Sequence, residues 1–222
     1  MPEKSDPHSK PRAREDLLEA SFALIRERGY SRTSVNELCA AAGVSKGAFF
    51  HHFQSKDALA VAALDRWSEV SMAFFQAAPY HKYRDPLDRV LGYLDFRRGL
   101  LKGEVAEFSC LAGTIVQEVY GTHAEIREAC DASISGQAAT LEADIAEAMK
   151  LCGMRANWSA QSLALYTQAV LQGSFILAKA KGGPDVAVAN IDHLRRYVEL
   201  LFRKDRRRRA TRPRVRTPPA SA

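Results

Sequence analysis

The chain has 222 residues, 46% of them hydrophobic, and its 32 basic and 26 acidic side chains give a formal net charge of +6. That length holds a small domain and a larger one, each with a real core, and the composition is that of a globular protein. No apolar run approaches the roughly 18 residues of a membrane span, and residues 1–8 have no apolar signal-peptide core, so a cytoplasmic chain with no membrane partner is expected. Cys39, Cys110, Cys130 and Cys152 form no C-x-x-C pair, and the histidines add no ligand spacing, so neither a disulfide framework nor a metal site is expected. With no nucleophile–base pair, phosphate loop or cofactor motif in view, an enzyme is set aside and no cofactor is implied.

In chain order, residues 1–11 are rich in proline and charge and are expected to form a disordered arm, with Lys10, Arg12 and Arg14 suited to a minor groove. A helix over 12–28 puts Leu18, Phe22 and Ile25 on one face and ends at Gly29, with Tyr30 packing the turn. Val35, Leu38 and Cys39 share a face of a second helix that Thr33 or Ser34 can cap. Gly43 stops that helix, because only glycine enters the left-handed region cheaply. Ser45 caps a short third helix over 45–52. Phe49 and Phe53 anchor it, and its first residues, Ser45, Lys46, Gly47 and Ala48, are small or polar. Helix, glycine turn and short helix make a helix-turn-helix, whose second helix enters the major groove by its N-terminal end. Ser34, Phe50, His51 and His52 are counted with its DNA-facing set. Lys56 gains nothing from the dipole of the helix it opens, and a phosphate partner would explain it.

The run Ala42-Gly43-Val44-Ser45-Lys46-Gly47, then Phe49-Phe50-His51-His52-Phe53, then Lys56-Asp57-Ala58-Leu59, resembles the TetR family of one-component transcriptional regulators. The resemblance implies phosphate contacts from Thr33, Ser45, His52 and Lys56 and a groove-facing set of Lys46, Gly47 and Ala48. It also implies a homodimer on a palindromic operator. Lys46 could reach guanine O6 or N7. The chain departs from the family at Phe50, where tyrosine is common and its hydroxyl reaches a phosphate; here that contact is reduced to apolar packing on sugar. Nine of the 32 basic residues but one of the 26 acidic ones lie from Arg203 onward, which leaves 23 basic against 25 acidic in the rest. DNA affinity therefore rests on a few placed contacts rather than on bulk charge.

A helix from residue 56 to about residue 77 carries Leu59, Ala63, Trp67 and Val70 in register and is long enough to join two domains. Pro79 stops it, and Asp85-Pro86 starts the next helix as cap and first-turn proline. Apolar periodicity over 104–119 predicts one helix, and Thr122-x-x-Glu125 predicts a capping box for another that ends at Cys152-Gly153. Ser159 opens a helix to about Lys181, Gly182-Gly183-Pro184 breaks it, and Asp185 caps a last helix through Phe202. The expected fold is all-α, with nine helices and no strand. A three-helix DNA-binding domain over 12–55 precedes a ligand-binding and dimerisation domain of about six helices over 56–203.

The helix over 159–181 is apolar nearly all round and so buried on several sides. Leu163, Val170, Gly173 and Leu177, with Leu194, Val198 and Leu201 of the last helix, are expected to meet a second subunit. A pocket is expected between helices of the second domain, with Gln117, Glu118, Arg127 and Tyr166 as candidate polar groups. The block over 108–119 is similar to a subgroup of TetR regulators, some of which sense electrophiles through a cysteine there. That resemblance makes Cys110 a candidate sensor; the plain alternative is a small thiol packed in a helix. The tail over 204–222 is expected to be basic and disordered and to add salt-dependent, non-specific DNA affinity. The whole points to a ligand-responsive dimeric transcriptional regulator: a repressor on a double-stranded operator, released by an unknown small-molecule effector. The alternative is a redox or electrophile switch through Cys110.

Overall fold

The computed structural model describes the backbone of residues 9–210 and the side chains of residues 12–203. Among the described residues there are ten α-helices and no strand. The expectations for residues 1–8 of the arm and 211–222 of the tail lie outside them. Helix α1 (Ser9–Arg28) starts three residues before the expected Arg12. Pro11 fits there, because the first-turn N–H groups of a helix have no partner to lose. Helices α2 (Val35–Ala42) and α3 (Lys46–His52) follow, then α4 (Lys56–Gln76) and a 3-10 turn, Pro79–Lys82. The second half consists of α5 (Pro86–Gly99), α6 (Val105–Phe108), α7 (Leu111–Val119), α8 (Ala124–Cys152), α9 (Ala160–Lys181) and α10 (Asp185–Ala210). The last helix continues eight residues beyond Phe202, so residues 204–210 have helical backbone rather than the expected coil; arginine is a good helix former.

Local chemistry sets the helix ends. Ser34 caps α2 and forms a reciprocal capping box with Glu37, which settles the choice between Thr33 and Ser34. Gly43 closes α2 at φ 65°, and the Val44 N–H donates to the Cys39 carbonyl at 3.0 Å. Ser45 and Ser55 accept from the third residue of their helices, Ala48 and Ala58, each at 3.1 Å. Asp85 accepts from the Leu87 N–H at 2.8 Å ahead of Pro86.

Two expectations are corrected. The single helix over 104–119 is two helices, because Ser109 and Cys110 are extended and Cys110 is the N-cap of α7. Thr122 does not cap α8. Its hydroxyl donates back to the Val119 carbonyl at 3.3 Å, and the N-cap is His123, without a side-chain cap bond.

Two apolar cores result. One joins Leu18, Leu38, Phe49 and Leu64 from α1–α4 to Leu111, Ile115 and Val119 of α7 and to Ile126 and Cys130 of α8. The reading head is thus not closed off at residue 55: its core is completed by α7. The other core packs Phe75, Tyr93, Leu94, Ile145, Leu171, Phe175, Leu194 and Phe202. Helix α4 serves both cores. Leu59 and Ala63 are buried in the first, Phe75 is buried in the second, and Val70 between them is exposed rather than in register with the buried face.

Candidate DNA-reading face and effector cavity

The surface of α3 is built as a close-approach face. Lys46, Gly47, Phe50 and His51 are exposed, and Phe49 is buried beneath them. A Cβ placed on Gly47 would meet nothing nearer than the Ser45 hydroxyl at 3.7 Å, so the space outside Gly47 is open. Phe50 is 51% exposed and rests edge-on against Phe49, with ring centroids 5.1 Å apart. It is therefore an exposed apolar side chain on this surface. The His51 and His52 rings stack edge to face at 4.9 Å.

Thr33 stands apart from the phosphate set implied for it. It is buried, and its hydroxyl donates to the Gly29 carbonyl at 2.8 Å. Ser34 is exposed but committed to its capping box. Lys56 is also engaged: its ammonium donates to the Tyr30 carbonyl at 3.1 Å and lies 4.1 Å above the Tyr30 ring.

Tyr30 sits at a joint between the reading head and α7. Both oxygens of the Glu118 carboxylate, near the end of α7, accept backbone N–H groups of the turn between α1 and α2, Tyr30 at 2.9 Å and Ser31 at 2.8 Å. Gly29 makes room for this: it has φ 91°, and a Cβ there would lie 2.4 Å from Glu118 Oε1. The Tyr30 hydroxyl donates to Asp57, and His123 Nε2 lies 3.7 Å from the other Asp57 oxygen. Burial raises the Tyr30 hydroxyl well above its ordinary value, and the bond to Asp57 adds to this. For Glu118, burial acts upward, but the N–H groups of Ser31 and Tyr30 and the charge of Lys56 prevail and hold the carboxyl below its ordinary value.

A depressed carboxyl contributes stability above its unfolded pKa and loses it as pH falls through the folded one. Glu118→Gln is accordingly expected to lower stability at pH 7 by about 1–2 kcal/mol, the scale of hydrogen bonds to a charged group. The gap to wild type should shrink as pH drops below the ordinary glutamate value of 4.5. Urea melts at pH 7 and on the acid side check this; a pH-independent gap would contradict it.

The other end of α7 borders a cavity of about 270 Å³ between α4, α5, α8 and α9. Its walls include Trp67, Phe74, Phe75, Phe108, Leu171 and Phe175, and its polar groups are Ser71, Arg97, Glu107, Ser109, Cys110, Ser133, Gln137, Gln168 and Gln172. The half-buried Cys110 Sγ accepts the Gly113 N–H at 3.4 Å, whereas Cys39, Cys130 and Cys152 are buried. Burial, and then the nearby Cys110, push the Cys130 thiol up to about 12.

Of the five residues expected in the pocket, Cys110 alone lines this cavity. Gln117 and Glu118 face a separate polar cleft against α1, where Gln117 donates to the Gly113 carbonyl at 2.5 Å. Arg127 is on the surface, 3.8 Å from Glu128. Tyr166 lies outside, its ring 5.5 Å from that of Tyr197. Sequence reasoning missed Arg97, Ser109, Gln137 and Gln168, which come from four different segments. Among the described residues no group of histidine, cysteine, aspartate and glutamate is arranged to hold a metal, and no helix is long and apolar enough to cross a membrane.

The expected dimer face also needs redrawing. Leu163, Leu194 and Val198 are buried inside their own chain, in the second core. Val170 and Leu201 are partly buried against it. Tyr166, Ala169, Gly173 and Leu177 of α9 instead line an open groove with Asn190, His193 and Tyr197 of α10. A Cβ on Gly173 would meet nothing within 4 Å.

Comparison with known proteins fits this geometry. Residues 17–63 match the family model described as bacterial regulatory proteins, tetR family. The HTH-type transcriptional repressor NemR of Escherichia coli K12 is 29% identical over 143 residues, 60% of this chain and 67% of that protein. The crystal structure of its reduced form is similar with a TM-score of 0.70 at 24% identity, covering 82% of this chain and 95% of that one. A cysteine mutant of the regulator CifR, solved with 26bp double-strand operator DNA, gives a TM-score of 0.69 at 16% identity over 88% of this chain and 98% of that one.

Proposed function

We propose, on the premise that this chain belongs to the TetR family of bacterial regulatory proteins, that it is a dimeric transcriptional repressor released from a palindromic operator by a small molecule in the α4–α9 cavity. Residues 12–55 are the reading head, and residues 56–203 hold the effector and the partner subunit. The chain acts in the cytoplasm and carries out no turnover.

The observation that carries this reading is a continuous path. Cys110 and Ser109 at the start of α7 line the cavity, and Glu118 at its end holds the turn that precedes α2. A ligand that shifts α7 therefore shifts the reading heads, and its differential affinity for the two arrangements sets the response. The test is a gel shift with the DNA upstream of the protein's own gene. The purified dimer should retard it, and a cavity ligand should reverse the retardation without forming product. A ligand that fills the cavity and leaves the complex intact would contradict the reading.

One observation favours a second trigger: Cys110 is a half-buried thiol at a helix N-cap on the cavity wall. If covalent capture at this thiol is the signal, Cys110→Ser should abolish release by a thiol-reactive electrophile and leave operator affinity within about twofold, since serine is close in size and keeps an N-cap acceptor for the Gly113 N–H. Release that persists in the variant rules this trigger out.

A further inference from the structure

We propose that the cavity takes a single-ring aromatic carboxylate bearing a hydrogen-bond donor, its carboxylate on Arg97 and its donor on Gln137 and Ser109; this rests on the effector role of the cavity proposed above.

Arg97 of α5 is half-buried on the cavity wall. Its guanidinium carbon lies 4.0 Å from the Phe75 ring centroid and 5.3 Å from that of Tyr93, and its Nε donates to the Tyr93 hydroxyl at 3.0 Å. The stacked face and the Nε edge are thus used, and among the described residues the two terminal nitrogens have no hydrogen-bond partner. Arg28, Arg89, Arg98 and Arg195 each have a carboxylate in ion-pair range, whereas among the described residues Arg97 has none. Glu107 borders the same cavity, but it is exposed and its carboxylate accepts the Glu104 N–H at 3.2 Å. A fixed guanidinium fork without a counter-charge matches a carboxylate through two parallel charged hydrogen bonds.

The walls set the body of the ligand. Phe75, Phe108, Phe175 and Trp67 offer ring faces and edges, with Phe108 and Phe175 6.2 Å apart. Aromatic walls favour an aromatic ligand in offset or edge contact. A volume of about 270 Å³ lies just below the range of roughly 300–1,000 Å³ for small-molecule pockets, which suits one ring rather than two.

A second polar requirement comes from two orphans. Among the described residues, Ser109 Oγ and Gln137 Oε1 are buried without a hydrogen-bond partner, and both residues line this cavity. Buried polar atoms are rarely left so. A carbonyl oxygen needs a donor, which a ring hydroxyl or amine supplies. Ser109 directly precedes the N-cap of α7, so a ligand bound there pulls on the helix whose other end holds the reading head.

The test uses the full-length protein with 4-hydroxybenzoate, 4-hydroxyphenylacetate and 4-hydroxycinnamate, their methyl esters, and unsubstituted benzoate, by calorimetry and by operator release. At least one acid should bind roughly 10- to 100-fold more tightly than its ester, the scale of a charged hydrogen-bonded pair. Arg97→Gln should erase that preference, and Arg97→Lys should retain part of it. Gln137→Leu should erase the preference for hydroxylated acid over benzoate. Apo melting temperatures confirm that the variants fold. Esters binding as well as acids, an acid preference surviving Arg97→Gln, or no acid binding at all would each overturn the proposal. An acid that binds with these preferences and does not release the operator would keep the ligand class and instead contradict the repressor reading.

Discussion

Gly47→Leu is expected to leave the protein folded and to lower operator affinity by about 100-fold or more, the scale of losing two base contacts worth ~1–3 kcal/mol each. A side chain on Gly47 has open space around it, with the nearest atom, the Ser45 hydroxyl, 3.7 Å from the new Cβ. Gly47 is exposed and its Cβ direction is open, and leucine is the better helix former by about 1 kcal/mol, so the melting temperature should hold or rise. The same bulk stands where α3 must meet the floor of the major groove. Stability and function thus move in opposite directions, which a merely structural role for Gly47 would not produce. Thermal melts and fluorescence anisotropy with labelled operator measure both. Unchanged affinity would remove α3 from the groove.

Leu177→Asp is expected to hold the chain as a monomer and to weaken operator binding by about 100-fold or more, because tethering of a second reading head contributes on the order of 10²–10⁴ to avidity. Leu177 is 43% exposed beside Gly173 and Tyr166, outside the core of its own chain. The substitution therefore costs the monomer fold little and places a charge in the groove proposed here to meet the second subunit. Light scattering and anisotropy give the two readouts. A dimer that survives the change would move the interface elsewhere. Leu194→Asp is not an equivalent test: Leu194 is 3% exposed, and its loss would act on the monomer core.

The helix-turn-helix was legible because its signals are local. Gly43 in the left-handed region, Ser34 and Ser45 as caps, and Phe49 and Phe53 as anchors lie within a few residues of the geometry they specify. Asp85-Pro86 and Ser159 were legible for the same reason. The break at Ser109 and Cys110 was not, since helical periodicity in the apolar residues runs straight across it. Thr122 looked like a cap because a capping box is read from spacing, whereas its hydroxyl is committed to the carbonyl behind it.

The cavity was largely hidden, because Arg97, Ser109, Gln137 and Gln168 meet only after α5, α8 and α9 pack. Periodicity likewise revealed the apolar faces of α9 and α10 but not which neighbour each would meet. Leu163 and Val198 turned inward, and Tyr166 and Leu177 outward. Glu118 was singled out as a pocket residue and is a joint residue. Its partners are backbone N–H groups, which carry no sequence signature.

The most direct test of the central claim is a nuclease footprint of the purified protein on the DNA upstream of its own gene, with Lys46→Ala in parallel. A protected palindrome is expected whose half-sites lie about one helical turn, ~34–36 Å, or a multiple of it apart, with protection weakened in the variant. Lys46 is exposed at the start of α3, so its truncation leaves the fold alone. No protected palindrome, or protection indifferent to the loss of Lys46, would contradict it.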